Sequence, residues 1–398
     1  MAQLGGLEEF GLIAHLTDCY RSRLQTRTQS SGAEALPVAG EVPGVRVDIG
    51  DDAAVLTVSS GEDLVLTTDT MVEGVHFLPE TMDWSDVGYK AVAASVSDVA
   101  AMGGRARHVV LAIAIPEHVE LASLEALYEG VADVCADTGC RLVGGDVVGT
   151  SGPFVVTSTV QGVVAAGQAV LRSGAQPGDV VFVTGTVGDS GAGLALQQPT
   201  VSQEAANRMM PNRPTAGVTS ANTAHTPGMD VPRTMPSYVP ADEAYALRQR
   251  HRRPRPQVEA GPILLESGAT SMDDISDGLA SELNEIAKAS GVRLRIEAAR
   301  VPLSPAVQNF ARGRREDPLT YAWYGGEDYQ LVGTAPPFAF ARILARFDGV
   351  GVRVTQIGRV EPGDGEVVAV LPNGIIDLVE ARGYNHFKES RGNGPLQP

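Results

Sequence analysis

The chain has 398 residues, 43% of them hydrophobic and 20% charged, a composition typical of a globular protein with room for two domains. Its formal net charge of −17 argues against a nucleic acid or an anionic membrane as a partner. The N-terminal segment lacks the basic start and apolar core of a signal peptide, no later segment reads as a membrane span, and three cysteines suit a reducing cytoplasm, which is the expected location.

The first 165 residues predict strands that alternate with helices. Residues 7–25 have helical spacing, and two strand candidates follow in "AAVLTV" and "LVLTTDT". Next comes a helix in "WSDVGYKAVAASVSDVAAMGG", with Ser85 as its predicted N-cap and a glycine pair as its stop. A strand "HVVLAIAIP", a helix "ASLEALYEGVADVCADTG" and strands in "RLVGGD" and "FVVTSTVQGVV" complete the region. This order predicts an α/β or α+β layered domain over residues 1–165.

A second domain is predicted for residues 166–398. It opens with a turn and a strand in "QPGDVVFVTG", and residues 199–240 then bring seven prolines and no periodicity, which predicts a mobile insertion. A helix end in "RQRHRRPRPQ" is the one basic stretch. The chain continues with a helix in "SMDDISDGLASELNEIAKASG", a strand "RLRIE" and a last sheet region that ends at "ARGYNHF".

Acidic residues recur at the ends of these elements. In "DIGDDAAVL" three aspartates fall within five positions, and one such turn alone reads as a solvated turn. Five further sites contain acidic residues at strand or helix ends, namely Asp69 in "TTDT", Asp98 in "SVSDVAAMGG", Asp146 in "VGGD", Asp274 and Asp277 in "DDISDGL", and Glu327 and Asp328 in "YGGEDYQL". Six acidic turns together favour a shared metal site.

The expected metal is Mg²⁺. Clustered carboxylates repel one another unless cations lie among them, and an all-oxygen ligand set suits Mg²⁺. The sequence contains no G-x-x-x-x-G-K-[ST] loop and only three lysines, so metal ions would have to neutralise most of the charge of a phosphate substrate. A glycine-rich segment, "GTVGDSGAG", fails the spacing of a dinucleotide fingerprint, and its glycines predict close packing of a helix on a strand.

Seven of these strings, in order, resemble those of the thiamine-monophosphate kinase family, within the aminoimidazole ribonucleotide synthetase-like superfamily. They are "IGDDAAVL", "TTDTMVEGVHF", "GYKAVAASVSDVAAMG", "VGGD", "LRSGAQPGD", "DISDGL" and "GGEDYQL". The resemblance implies a two-domain α/β (α+β) fold, in which a mixed N-terminal sheet with flanking helices pairs across a homodimer into a barrel. The C-terminal domain is then an α/β sandwich.

The resemblance also implies an activity and a set of site residues. The activity is ATP-dependent phosphorylation of thiamine monophosphate to thiamine diphosphate, and the first domain binds ATP and Mg²⁺. The positions that match Mg²⁺ ligands are Asp52, Thr67, Thr68, Asp69, Asp98, Asp146, Asp274 and Asp277. Those that match nucleotide contacts are Tyr128, Gly145, Asp146, Arg172 and Ser276, and those near the thiamine moiety are His76, Glu327 and Tyr384.

No catalytic base is expected, because a phosphate monoester is already anionic and its transfer needs positioning and charge stabilisation. Two alternatives stay open from the sequence. One is a sister enzyme of the superfamily that uses ATP to activate another substrate. The other is a nucleotide-binding dimer without catalysis, although so many intact aspartates at the matching positions count against it.

Overall fold

A computed structural model of the chain describes residues 9–31, 45–47, 55–56, 59–197 and 239–382. Two separate sheets organise this part of the chain, one of four strands and one of seven, and each has its own buried apolar cluster. The mixed α/β architecture predicted from the sequence is confirmed. The domain boundary at residues 165/166 stays a prediction and lies between the two sheets. Across the described ranges, no helix has the length and apolarity needed to cross a membrane.

The N-terminal sheet is mixed and has the strand order β3-β6-β4-β5, with only β4 and β5 parallel. A separate antiparallel pair, β1 and β2, precedes it. The elements of this region are α1 (Glu9–Ser31), β1 (Val45–Val47), β2 (Val55–Leu56), β3 (Glu62–Val72), α2 (Trp84–Ala101), β4 (Arg105–Pro116), α3 (Leu121–Thr138), β5 (Arg141–Thr150) and β6 (Val155–Ala165).

Helices α2 and α3 pack together at backbone contact. A Cβ at Gly88 would lie 2.0 Å from the Leu127 carbonyl oxygen, and one at Gly130 would lie 1.8 Å from the Ser85 carbonyl oxygen. Small residues at this crossing are therefore required by the approach of the two backbones. The predicted N-cap is wrong: Asp83, with extended backbone, occupies that position, and Ser85 lies inside the first turn.

One face of the N-terminal sheet is not covered by these helices. We call it the outer face. It carries apolar side chains that remain strongly exposed and two pairs of threonines that face each other across β3 and β6. Its members are Leu64, Leu66, Thr68, Thr70, Val110, Asp146, Val148, Thr157 and Thr159.

The C-terminal sheet has the order β13-β12-β9-β11-β7-β10-β8, antiparallel except between β12 and β9. Its elements are β7 (Val180–Thr184), α4 (Asp189–Ala195), α5 (Ala241–Arg252), α6 (Ala260–Ser267), β8 (Ser271–Asp274), α7 (Leu279–Ser290), β9 (Val292–Glu297), a 3-10 turn (Ala298–Arg300), α8 (Pro305–Arg314), α9 (Leu319–Tyr324), β10 (Leu331–Ala335), α10 (Pro337–Phe347), β11 (Val354–Pro362), β12 (Val367–Val370) and β13 (Ile376–Leu378).

Two apolar clusters pack against this sheet. One joins α7, through Leu283 and Ile286, to strand residues such as Leu294. The other joins α6 and α10 to strand residues, with the rings of Phe182 and Phe340 stacked and their centroids 6.1 Å apart. Helices thus pack on the sheet through two distinct cores, which is the predicted α/β sandwich.

The helix predicted within residues 271–291 is shorter than expected. Residues 271–274 form the edge strand β8, fully buried and paired with β10, and the helix begins only at Leu279. Gly278 separates the two elements with φ +106°, a conformation that side chains other than glycine rarely adopt. The predicted insertion at 199–240 lies almost wholly outside the described residues.

Candidate active site

The first part of the site lies between strand β3 and helix α2. Because side chains alternate along a strand, Thr67 and Asp69 point to the helix, whereas Thr68 points to the outer face. The Thr67 hydroxyl donates to Asp98 Oδ2 at 2.5 Å, and Ser95 Oγ donates to Asp69 Oδ2 at 2.8 Å. The Thr68 hydroxyl lies instead 3.0 Å from a threonine hydroxyl of β6. Two carboxylates are therefore held side by side under β3, and the Thr68 side chain is not with them.

The second part lies at the end of strand β8. Asp273 and Asp274 are both buried there, and the exposed side chain of Arg172 reaches Asp273, with its Nε 2.7 Å from Oδ2. The Asp274 Oδ2 atom is buried and accepts no hydrogen bond from the described residues. A buried carboxylate oxygen without a donor is costly, so it marks a place where a cation or a proton is needed.

These carboxylates act on one another electrostatically. Burial, and then the charge of Asp69, raises the pKa of Asp98 to about 6. Burial raises the pKa of Asp273 to about 6 even though Arg172 opposes it. Burial, followed by Asp98, raises the pKa of Asp274 well above its usual value. We call Asp69, Asp98, Asp273 and Asp274 the acidic cluster.

A buried glutamate organises the loop that follows β8. Glu282, in the first turns of α7, accepts hydrogen bonds through Oε1 from the Asp277 amide at 2.9 Å and the Ser276 hydroxyl at 3.2 Å. Burial raises the pKa of Glu282 well above its usual value, and Asp273 and Asp277 raise it further. Ser276 and Asp277 are thereby fixed beside the acidic cluster.

A second loop, residues 325–330, runs alongside the first. The Glu327 amide donates to the Ser276 carbonyl at 2.7 Å, and Glu327 Oε2 lies 2.6 Å from Lys90 Nζ. Both Glu327 and Tyr329 have positive φ, at +65° and +48°, which is uncommon for residues with side chains. Burial raises the pKa of the Tyr329 hydroxyl well above its usual value, with Glu327 and Asp69 adding to it. Tyr329 is thus close enough to Glu327 and to the acidic cluster to feel the charge of both.

The glycine-rich segment 185–193 binds a carboxylate of the chain itself. Asp328 accepts from the Gly188 amide at 2.5 Å and the Ser190 amide at 2.9 Å, so the start of α4 is already occupied. Burial raises the pKa of Asp328 to about 8. The sequence predicts that these glycines allow a helix to pack closely on a strand. In the structure Gly193 packs closely against helix α5 instead, because a Cβ there would lie 2.2 Å from the Leu247 carbonyl oxygen.

Two family models match the chain in succession. The description "AIR synthase related protein, N-terminal domain" matches residues 50–164, and "AIR synthase related protein, C-terminal domain" matches residues 176–371. Thiamine-monophosphate kinase of Bacillus subtilis is 34% identical over 344 residues, which are 86% of this chain and 94% of the relative. The chain belongs to the thiamine-monophosphate kinase family.

Solved members of the family have the same fold. Thiamine-monophosphate kinase from Stenotrophomonas maltophilia superposes with a TM-score of 0.69 at 31% identity, covering 91% of this chain and 96% of that one. AaThiL complexed with AMPPCP and TMP superposes with a TM-score of 0.64 at 31% identity, covering 96% and 98%. The family resemblance and the two-domain mixed α/β fold predicted from the sequence motifs are confirmed, whereas the barrel formed across a homodimer stays a prediction.

Three residues that the family motifs predict for the nucleotide lie away from the acidic cluster. Asp146 is exposed on strand β5, and it belongs to the outer face because it pairs with Ala112 of β4. A Cβ at Gly145 would lie 2.2 Å from the Leu111 carbonyl oxygen, which explains the glycine by packing. Tyr128 is buried in the N-terminal core, and burial raises its pKa to about 12.

His76 follows strand β3 in a turn. Its Nδ1 accepts from the Val72 amide at 3.0 Å, which fixes the ring and leaves Nε2 as the nitrogen that carries the hydrogen in the neutral form. Two further residues that the kinase family motifs predict, Asp52 and Tyr384, lie outside the described residues.

Sequence reasoning missed several residues of the site. The family motifs predict Asp274 as a site residue and not its neighbour Asp273, although both are acidic and lie at the end of the same strand. Glu282 left a weaker signal, a glutamate early in a helix beyond an acidic turn. Lys90 and Tyr329 gave no separate signal, because their contacts join segments that are far apart in the sequence.

The basic stretch 248–255 is used largely within the fold. Arg253 bonds Asp86 at 2.6 Å through Nε and Asp133 at 3.0 Å through Nη1, and Arg252 donates to the Thr81 carbonyl. These contacts tie the end of α5 to helices α2 and α3.

Proposed function

We propose that the chain transfers the γ-phosphoryl group of ATP to thiamine monophosphate, giving thiamine diphosphate and ADP. The observation that carries the proposal is the acidic cluster with Arg172 at its edge, in a member of this kinase family. Residues 275–277, beside the cluster, are hydrogen-bonded to the loop that carries Glu327. The end of the site that would bind phosphate, with Arg172, therefore adjoins the end that presents the Glu327 carboxylate. The structure of AaThiL with AMPPCP, an ATP analogue, and TMP supports the same pair of substrates.

The donor set fits Mg²⁺. The cluster offers only carboxylate oxygens, and Asp274 Oδ2 is buried without a donor among the described residues, as expected of an atom that faces a cation. We assign Asp69, Asp98 and Asp274 as the residues that would hold the metal, with Asp277 beside them. When bound, Mg²⁺ would neutralise phosphate oxygens and favour their approach to one another.

The protein groups would act by position and charge. An oxygen of the acceptor phosphate attacks the γ-phosphorus, the bond between that phosphorus and the bridging oxygen breaks, and ADP leaves with the electron pair. Arg172 presents a planar guanidinium that can bond two oxygens of one phosphate, provided that it shares or leaves Asp273. At the other end, the Glu327 carboxylate faces the part of the acceptor that carries an amine and a cationic ring.

We also propose that the enzyme is a homodimer formed through the outer face. Leu66 is 71% exposed there and Val148 is 49% exposed, an arrangement typical of an interaction surface. Asp146 belongs to this face and lies three strands from Asp69, or about 14 Å at the usual strand spacing. If Asp146 serves a phosphate site with the acidic cluster, it would do so from a second copy.

Phosphoryl transfer from ATP tests the function directly. With Mg²⁺ present, we expect thiamine diphosphate from thiamine monophosphate, none from free thiamine, and no ADP release without an acceptor. Asp146→Asn should lower the rate by about a hundredfold, because one phosphate-site carboxylate is lost. ATP binding without transfer to thiamine monophosphate would contradict the proposal and favour a sister enzyme of the superfamily.

The pH dependence of stability tests the cluster without substrate. Asp98 and Asp273 have folded-state pKa values of about 6, above their usual 3.8, so the folded state holds protons more tightly. The stabilisation that this gives is complete below about pH 4 and is lost as the pH rises through about 6. We expect the melting temperature in EDTA to fall by a few degrees between about pH 5 and about pH 7.5.

Magnesium should reverse this trend, because it replaces the protons on the ionised carboxylates. The rise in melting temperature on adding Mg²⁺ should be larger at the higher pH and smaller in Asp98→Asn. A metal-free melting temperature whose pH slope is the same in Asp98→Asn and in the wild type would contradict this account of the cluster.

A further inference from the structure

The buried lysine Lys90 contacts the carboxylate of Glu327, the residue proposed above to face the acceptor. Lys90 of helix α2 is 1% exposed, and its Nζ lies 2.6 Å from Glu327 Oε2. The Glu327 side chain keeps 28% exposure, and no hydrogen bond from the described residues reaches its other oxygen, Oε1. A buried ammonium is unfavourable unless it is paired, so the Lys90–Glu327 contact holds one oxygen inside while the other is free to meet a ligand.

A histidine from the C-terminal domain meets the same oxygen. His251 of helix α5 is buried, and its Nδ1 lies 3.3 Å from Glu327 Oε2 and 3.1 Å from Ser190 Oγ. Burial, and then the nearby charges of Lys90 and Arg252, hold the pKa of His251 well below its usual value. The ring is therefore neutral at pH 7. Its Nδ1 is hydrogen-bonded to Ser190 Oγ, and the same edge of the ring lies against the Glu327 carboxylate.

The backbone of Glu327 is fixed as well. Its φ of +65° is unusual for a glutamate, and its amide is bonded to the Ser276 carbonyl. The preceding Gly326 has no room for a side chain, because a Cβ there would lie 2.4 Å from the same carbonyl oxygen. The backbone conformation of this loop is thus fixed, and the contacts with Lys90 and His251 orient the Glu327 side chain.

We propose that Lys90 and His251 are positioning residues, which fix Glu327 so that Oε1 faces the amine-bearing, cationic end of the acceptor. This inference rests on the proposed function and adds how the acceptor is recognised. Helix α2 carries both Lys90 and Asp98, about 12 Å apart along its axis. One rigid helix therefore sets the separation between the Glu327 end and the metal end of the acceptor site.

The test is Lys90→Met in the full-length enzyme, with Lys288→Met as the matched control. Lys288 is exposed, and within the described ranges its ammonium pairs with Glu285 of its own helix, at 3.5 Å. We expect Lys90→Met to raise the KM for thiamine monophosphate about tenfold to a hundredfold, while the KM for ATP changes by less than about twofold. A lysine that only joins the two domains would change both constants or neither.

A double-mutant cycle tests the route through Glu327. In a Glu327→Gln background, Lys90→Met should add no more than about twofold to the KM for thiamine monophosphate. If Lys90→Met fails to fold, His251→Leu is compared with His251→Asn, which keeps a donor near the Nδ1 position. We expect only the leucine variant to raise that KM.

Three results separate this inference from the proposed function. An active wild type whose KM for thiamine monophosphate is unchanged in Lys90→Met and in His251→Leu would overturn the positioning role alone. Additive effects of Lys90→Met and Glu327→Gln would overturn it too. A wild type that never phosphorylates thiamine monophosphate would overturn the function itself.

Discussion

Replacing Asp274 by Asn should lower thiamine diphosphate formation by about a thousandfold while raising the melting temperature of the metal-free protein. The activity falls because Asp274 Oδ2, buried without a donor among the described residues, is lost as a metal ligand. The stability rises because burial, Asp98 and Asp273 all disfavour a negative charge at this position. The neutral amide removes that penalty. Initial rates with ATP and Mg²⁺, and thermal unfolding in EDTA, measure the two effects.

The rise in the melting temperature follows from the linkage between protonation and folding. The pKa of Asp274 is raised in the folded state, so above its usual pKa this carboxyl makes the metal-free fold less stable, whether it stays ionised or takes up a proton on folding. Asn needs no proton. Asp377→Asn is the matched control, because Asp377 is exposed on strand β13 and should change neither quantity. Full activity in Asp274→Asn, or a lower melting temperature without metal, would show that the cluster is not a cation site.

The sequence was most informative where chemistry depends on local order. Alternation along β3 places Thr67 and Asp69 on one face, and their neighbour Asp98 comes from the helix that the same region predicts. The same alternation turns the Thr68 side chain away, a distinction that a motif match does not make. Local pattern therefore predicted the elements that carry the carboxylates better than the direction of each side chain.

Contacts between distant segments could not be predicted in this way. The group around Glu327 joins helix α2, helix α5 and the loop 325–330, and no spacing in the sequence links a lysine at 90 to a glutamate at 327. The helix predicted from the sequence includes residues 271–274. Pairing with β10 made them a strand. In both instances, contacts between segments that are distant in the sequence determined the structure.

Leu66→Glu should convert the enzyme to a monomer and abolish most of its activity. Leu66 is 71% exposed on β3, at one edge of the outer face, and a carboxylate there would have to be buried without a partner if two copies joined. Activity should fall by about a hundredfold or more, because Asp146 of this face is separated from the acidic cluster of its own chain by the sheet. Analytical ultracentrifugation and initial rates measure the two outcomes.

Phe338→Glu is the matched control for this prediction. Phe338 is 75% exposed on helix α10 of the C-terminal domain, so it loses a similar apolar surface and gains the same charge away from the outer face. It should remain dimeric and active. A Leu66→Glu protein that stays dimeric would assign the interface to another surface. A monomeric protein with wild-type activity would show that one chain completes its own site, and Asp146 would then have no part in phosphoryl transfer.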